Sequence, residues 1–273
     1  MIKYTLVIKM KSLHIILNNT KNTRSLSTLI NREGRHIKSH ALIRSDALNK
    51  LDKKDIDKLC DDYKLKRIID LRCLNEIQNN PDVQMNGVEH ISNPILPNER
   101  VGVTKKGNPE EDFIDFIEAI QTNGAQSSEE FMKKVYKEIV ESEFSNQAYS
   151  KFLNILLEEV PGATLWHCSA GKDRAGFATI LVLYLLDFSI EDILNDYLAT
   201  NQYYQSSIDE FLGKFGEEYK ETLETVFGVS ILYMDVLFAN INALYGSIDQ
   251  YIEHVLGFSK EKKEALKRIY LEE

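Results

Sequence analysis

Trp166-His167-Cys168-Ser169-Ala170-Gly171-Lys172-Asp173-Arg174-Ala175-Gly176 is the stretch on which the fold turns. A β-prone run, Ala163 to Trp166, leads into it, and a strongly apolar run, Phe177 to Leu186, leads out. That order predicts a strand, a tight loop and a buried helix. Successive backbone amides of such a loop can point inward and cradle an anion. The helix behind it adds the positive end of its dipole and its own free amides. Arg174 offers a planar fork that matches two phosphate oxygens at once. Cys168 then lies at the bottom of an electropositive cup, where a thiol of ordinary pKa about 8.5 can fall to roughly 3.5–7.5. Such a loop would bind a dianionic phosphate and hold a nucleophile beneath its phosphorus.

His167-Cys168-x-x-Gly171-x-x-Arg174 resembles the signature of the protein tyrosine phosphatase superfamily. With Ala170, Lys172, Asp173 and Gly176 added, it is similar to the bacterial atypical group, tyrosine phosphatase family 3. Other stretches carry the same resemblance: Asn22-x-Arg24-x-Leu26, Ile43-Arg44-Ser45, Ile69-Asp70-Leu71-Arg72, Asp196-Tyr197-Leu198-x-x-Asn201 and Tyr245-Gly246-Ser247. The resemblance implies an α/β fold with a central, mainly parallel sheet flanked by helices. It implies one phosphatase domain over residues 1–273, with extra C-terminal helices in which 203–245 supplies a helical lid and cap. It also implies activity on phosphotyrosine, extending in this group to phosphoserine, phosphothreonine and phosphoinositides.

The roles follow residue by residue. Cys168 is the expected nucleophile, forming a cysteinyl-phosphate. Arg174 and the amides of Ser169, Ala170, Gly171, Lys172 and Asp173 are expected to hold the phosphoryl oxygens. Arginine and amides do the work of a metal, so neither metal nor cofactor is expected. His167 should hydrogen-bond near Cys168 and favour the thiolate. Arg24 and Arg44 are expected to support the loop from beneath, although Arg24 reads equally as a surface arginine. Lys172 is a second cation, suited to a further phosphate or simply solvated.

The general acid is open. The only Trp is Trp166, so the acid-bearing Trp-Pro loop of many tyrosine phosphatases is missing. The resemblance points to Asp173 as acid and base. A carboxylate at a helix start is nevertheless favoured as the anion, so Asp173 also reads as a residue that orients the loop. Asp70, at a strand end where α/β active sites gather, is the second candidate; its alternative is pairing with Arg72 or capping the next helix. Two departures from the family stand out. Ser25, Ser27 and Thr28 occupy positions where an Asp and two glycines are usual, and Ala175 replaces a hydroxyl residue that would bond the thiolate.

Composition narrows the class. In 273 residues, 43% are hydrophobic and 27% charged, which reads as globular. A net charge of −9 argues against nucleic acid or an anionic membrane surface as partner. No apolar run reaches the roughly 18 residues of a membrane span, and Met1 to Leu17, broken by Lys3, Lys9, Lys11 and His14, lacks a signal-peptide pattern. Three scattered cysteines fit free thiols in a reducing compartment, so a cytoplasmic location is expected. The expected partners are phosphorylated protein or phosphoinositide substrates.

Outside the loop, strands are expected at Thr5–Ile8, Leu13–Leu17, Ala41–Arg44, Arg67–Leu71 and Gly87–Asn93. Helices are expected at 51–63, 110–120, from a Ser127-x-x-Glu130 capping box, at 145–159, at 190–199, and almost continuously from 201 onward. Pro94 to Pro109 reads as a loop near the site. Two readings from other classes remain: a phosphate-binding pseudo-phosphatase with little turnover, and a thiol redox protein, which the lack of a Cys-x-x-Cys pair disfavours.

Overall fold

A computed structural model of the chain describes residues 13–105 and 108–273. The run Thr5–Ile8, expected as a strand, lies outside the described residues. Six strands form one sheet in the order β1-β2-β3-β6-β4-β5. They are β1 (Leu13–His14), β2 (Arg24–Ser25), β3 (Leu42–Ser45), β4 (Leu65–Asp70), β5 (Glu89–Ser92) and β6 (Ala163–His167). β3, β6, β4 and β5 run parallel, and β1 and β2 add an antiparallel edge. The expected α/β architecture, with a mainly parallel sheet between helices, is therefore present.

The central strands are apolar on both faces, as a covered parallel sheet demands. Their period-2 alternation sorts side chains into two cores. Leu42, Ile69 and Trp166 join the larger core, built with α5 (Glu143–Ile155) and α6 (Arg174–Leu185). Ile43, Ile68 and Leu165 join a smaller one with Ile15, Leu48 and Leu59. Registers Ser45↔His167 and Asp70↔His167 bring the C-terminal ends of β3, β6 and β4 level. That edge is where open α/β sheets place their sites.

Most helices begin where a side chain can take up a free amide. Asp52 caps α1 (Lys53–Asp57), which continues as a wider helical turn over Lys58–Asp62. Asn108 caps α3 (Pro109–Thr122), and Ser142 caps α5. Ser127 accepts from Glu130 N at the head of α4 (Ser128–Glu141), but Glu130 accepts from Gln126 N, so only half of the expected capping box forms. One short helix, α2 (Leu74–Asn79), was not expected. Its start is tied by Glu76 accepting from Cys73 N at 3.0 Å. Because a cysteine stands where Ser or Thr would announce the motif, it leaves no sequence signal.

The C-terminal third is helical, as expected. Its first helix is longer than the sequence pattern indicates: α7 runs unbroken over Ile190–Phe215. The apolar stripe fades midway because the helix changes neighbours, packing on α6 with its first half and on α8 (Lys220–Phe227) with its second. α9 (Ile231–Tyr245), α10 (Ile248–Gln250) and α11 (Lys260–Tyr270) complete the chain. No single described helix is long and apolar enough to cross a membrane.

Residues 203–227 alternate buried and exposed side chains, whereas β6 and the first turns of α6 are wholly buried. Native-state hydrogen exchange should therefore be faster across 203–227 than across 163–185. Uniform protection would contradict this.

Candidate active site

The loop from Cys168 to Asp173 joins β6 to α6, as its sequence indicates. Its carbonyls are held from outside. Ala47 N donates to Ser169 O at 3.2 Å. Asn22 Nδ2 and Tyr204 Oη both donate to Ala170 O at 2.9 Å. Arg44 donates from a terminal nitrogen to Gly171 O at 2.6 Å. The described residues have no cis peptides. In a trans peptide the N–H points opposite to the C=O, so carbonyls pinned outward turn the amides of Ala170, Gly171 and Lys172 inward. Gly171 makes the turn possible. Its φ is +65°, and a Cβ there would lie 2.5 Å from Ser45 O.

A buried ion triad anchors this arrangement. Arg24 Nε and Arg44 reach the two carboxylate oxygens of Asp196 at 2.8 and 2.6 Å. Arg24 also donates to Asp196 O and to Asn22 Oδ1. Burial pushes Asp196 up, but the two guanidinium groups outweigh it and hold the carboxyl at about 2. Burial and neighbouring Arg24 lower Arg44 to about 10. Arg24 and Arg44 thus lie beneath the loop, Arg44 in direct contact with it. Asp196 was visible in the sequence only as part of a family landmark.

Arg174 is fully buried. Its terminal nitrogens meet Glu76 at 2.6 and 3.1 Å, and one also donates to Val103 O at 3.0 Å. Ser169 Oγ accepts from Arg174 at 3.1 Å and donates to Glu76, so its hydroxyl is committed. Lys105 N donates to Glu76 Oε1 at 3.0 Å, so Glu76 fastens 103–105 over the arginine. Burial raises the Glu76 pKa, but Arg174 overcomes this and holds it at about 2. The Nε–H groups of Arg174 and Arg44 are buried and lack a partner among the described residues.

His167 is buried, with Nε2 2.7 Å from Asp82 Oδ2 and Nδ1 3.2 Å from Cys168 O. Both neighbours are acceptors, so the ring carries two protons. Burial opposes that charge, yet Asp82 and Asp70 raise the pKa overall. The hydrogen bond expected toward Cys168 thus reaches its carbonyl, and the histidine presents a positive charge beside Cys168.

Asp70 takes the alternative role. It receives Arg72 through Nε and a terminal nitrogen at 2.7–3.1 Å, and Arg72 also pairs Asp82 at 2.8 Å. Asp70, Asp82 and His167 bring donor atoms within 4.8 Å of one another, a spacing that could gather a metal ion. Arg72 is the cation bound to both carboxylates. Asp173 is buried at the start of α6, makes no side-chain cap, and accepts from Tyr136 Oη at 2.5 Å, with Tyr197 Oη 2.8 Å beyond. The tyrosine pair could not be placed from sequence, since each lies on an ordinary helical stripe.

Lys172 does not stand free for a further phosphate. It is wholly buried, and its ammonium donates to Thr225 O at 3.1 Å and Gly228 O at 2.9 Å, the open end of α8. Burial lowers its pKa. Above the loop is a cleft of ≈ 430 Å³, with Ser169 and Ala170 on its floor and Tyr204, Phe211, Val226 and Phe227 on one wall. Cys168, the residue before Ser169, is buried.

With this geometry in view, the comparisons are specific. The tyrosine phosphatase family matches residues 15–272. The chain belongs to that family. A protein of Cupriavidus necator named "putative tyrosine-protein phosphatase" is 25% identical over 247 residues, covering 89% of this chain and 84% of its own. The triple specificity protein phosphatase PtpB of Mycobacterium tuberculosis is 25% identical over 139 residues, 45% of this chain and 48% of its own.

Removing one member of a buried ion cluster costs about 3–5 kcal/mol, so Asp196→Asn should destabilise by that order at neutral pH. The pH dependence has a defined sign. Asp196 lies below its ordinary 3.8, at about 2. Its contribution is complete above the unfolded value and is lost as pH falls toward 2, amounting to roughly 2–3 kcal/mol. Melting curves from pH 6 to 2 should fall less steeply for Asp196→Asn than for wild type; parallel curves would contradict the assignment.

Proposed function

We propose that this phosphatase hydrolyses phosphotyrosine in proteins through a cysteinyl-phosphate. The observation that carries this is the pairing of an outward-pinned loop with an arginine whose buried Nε–H has no partner among the described residues. An unmatched buried donor is costly, and a phosphoryl oxygen would satisfy it. The Cys168 thiolate attacks phosphorus, and the bond to the tyrosyl oxygen breaks. Arg174 and the inward amides take up charge on the equatorial oxygens as it shifts. Asp173 gives its proton to the departing phenolate. Water then attacks the phosphocysteine, Asp173 takes its proton, and the S–P bond breaks to release phosphate. Tyr136 holds the Asp173 carboxylate in place through its 2.5 Å hydrogen bond.

The chemistry needs no phosphate beyond the reacting one. Broader action, on phosphoserine, phosphothreonine or phosphoinositides, has one support in the name of the M. tuberculosis relative. Lys172 no longer supports it, because its ammonium is engaged with α8. Ala175 brings no hydroxyl to the thiolate, and the Ser169 hydroxyl is already bound to Glu76 and Arg174.

Cys168→Ser should abolish phosphate release from phosphotyrosyl peptides, and normal turnover would overturn the mechanism. Asp173→Asn should let the phosphocysteine accumulate in rapid-quench experiments, whereas Asp70→Asn should not. A hydrogen bond to a charged group is worth roughly 1.5–3 kcal/mol, so Ala175→Thr should speed phosphoenzyme breakdown about tenfold or more; an unchanged second step would remove that role.

A further inference from the structure

Among the described residues, three cations of the cleft above the loop have no ion-pair partner, and one of the three is held in place by its backbone. Five cationic residues line it, Lys21, Lys50, Arg72, Lys105 and Lys214, with five acidic ones, Asp46, Glu76, Glu110, Asp112 and Glu210. Arg72 is bound to Asp70 and Asp82. Lys214 is bound to Glu110 and Glu210. Lys21 donates to Ser207 Oγ. Lys50 is exposed at the mouth. Lys105 lies deeper. Its backbone is fixed by the amide bond to Glu76, and Arg174 holds Val103 two residues earlier. Its ammonium has no ion-pair partner among the described residues.

We infer that Lys105 is a specificity-determining residue, which receives an acidic side chain flanking the phosphotyrosine of a peptide substrate. The inference rests on the proposed phosphotyrosine activity and names the substrate class more closely. A cation without an ion-pair partner among the described residues, on a backbone fixed by Glu76, is suited to one incoming carboxylate. A polyphosphorylated headgroup fits less well, because the same walls carry five carboxylates that would repel it. The aromatic wall of Tyr204, Phe211 and Phe227 suits the phosphotyrosyl ring beside it. Burial, and after it the neighbouring Lys172, bring the Lys105 pKa down to about 8, with Asp112, Asp173 and Glu76 drawing it back up. An incoming carboxylate would restore its charge in full.

The test compares phosphotyrosyl peptides that differ only by Glu or Gln at each of the three positions on either side of the phosphotyrosine. For wild type, the Glu peptide should be favoured about tenfold in kcat/KM at one or more positions, mainly through KM, the size of a charge-assisted contact. Lys105→Gln should bring that ratio close to one, and Lys105→Arg should keep it. A preference that survives Lys105→Gln, or no preference at any position, would overturn the inference while leaving the phosphatase reading intact. Phosphoinositide vesicles hydrolysed faster than every peptide, with loss in Lys105→Gln, would overturn the peptide assignment in favour of lipid. No turnover of any phosphotyrosyl peptide by wild type would overturn both readings.

Discussion

The contact between the Arg44 guanidinium and the carbonyl of Gly171 sets the shape of everything around it. A loop can present amides to an anion only if its carbonyls find partners elsewhere, because each peptide has both. Arg44 supplies one such partner, and Asn22, Tyr204 and Ala47 supply the others. Arg44 is itself oriented by Asp196, which Arg24 shares. A buried ion group of this kind is weak evidence for net stability. Its value here is positional: two strands, β2 and β3, and the long helix α7 meet at one charge cluster, and the loop hangs from it.

A second charge cluster stands on the other side of the loop. Asp82 and His167 put a protonated imidazole beside Cys168, and Arg72 ties Asp70 and Asp82 together. Glu76 does the corresponding work for Arg174. His167 and Arg174 thus each have a carboxylate that fixes their orientation. Such preorganisation spares the reacting system the cost of ordering those groups at the moment of reaction. The acidic net charge of the chain is compatible with an anion site because local pairing, not global charge, governs the cup.

The loop with its flanking strand and helix, and the placing of Cys168 and Arg174 at its two ends, could be read from residue order because they are contiguous. The mainly parallel sheet was legible for the same reason, since β-prone runs alternate with helical ones. What sequence could not yield were partners brought together by the third dimension. Glu76, Asp82, Tyr136 and Tyr204 carry no local mark of their duties; each depends on a register between elements far apart in the chain. Asp70 and Lys172 show the converse. Their residue types suit a proton donor and a phosphate ligand, but the neighbours supplied by the fold, Arg72 in one case and the end of α8 in the other, engage them otherwise. The length of α7 was missed because a helix that changes neighbours midway loses its single stripe.

Lys172 has one more consequence. It belongs to the loop by sequence and to α8 by hydrogen bonding, so the two cannot be energetically independent. By linkage, the seat of α8 on the loop and any anion the loop took up would change each other's affinity by the same factor. A helix that packs over a cleft would in that sense act as a ligand of the loop beneath it.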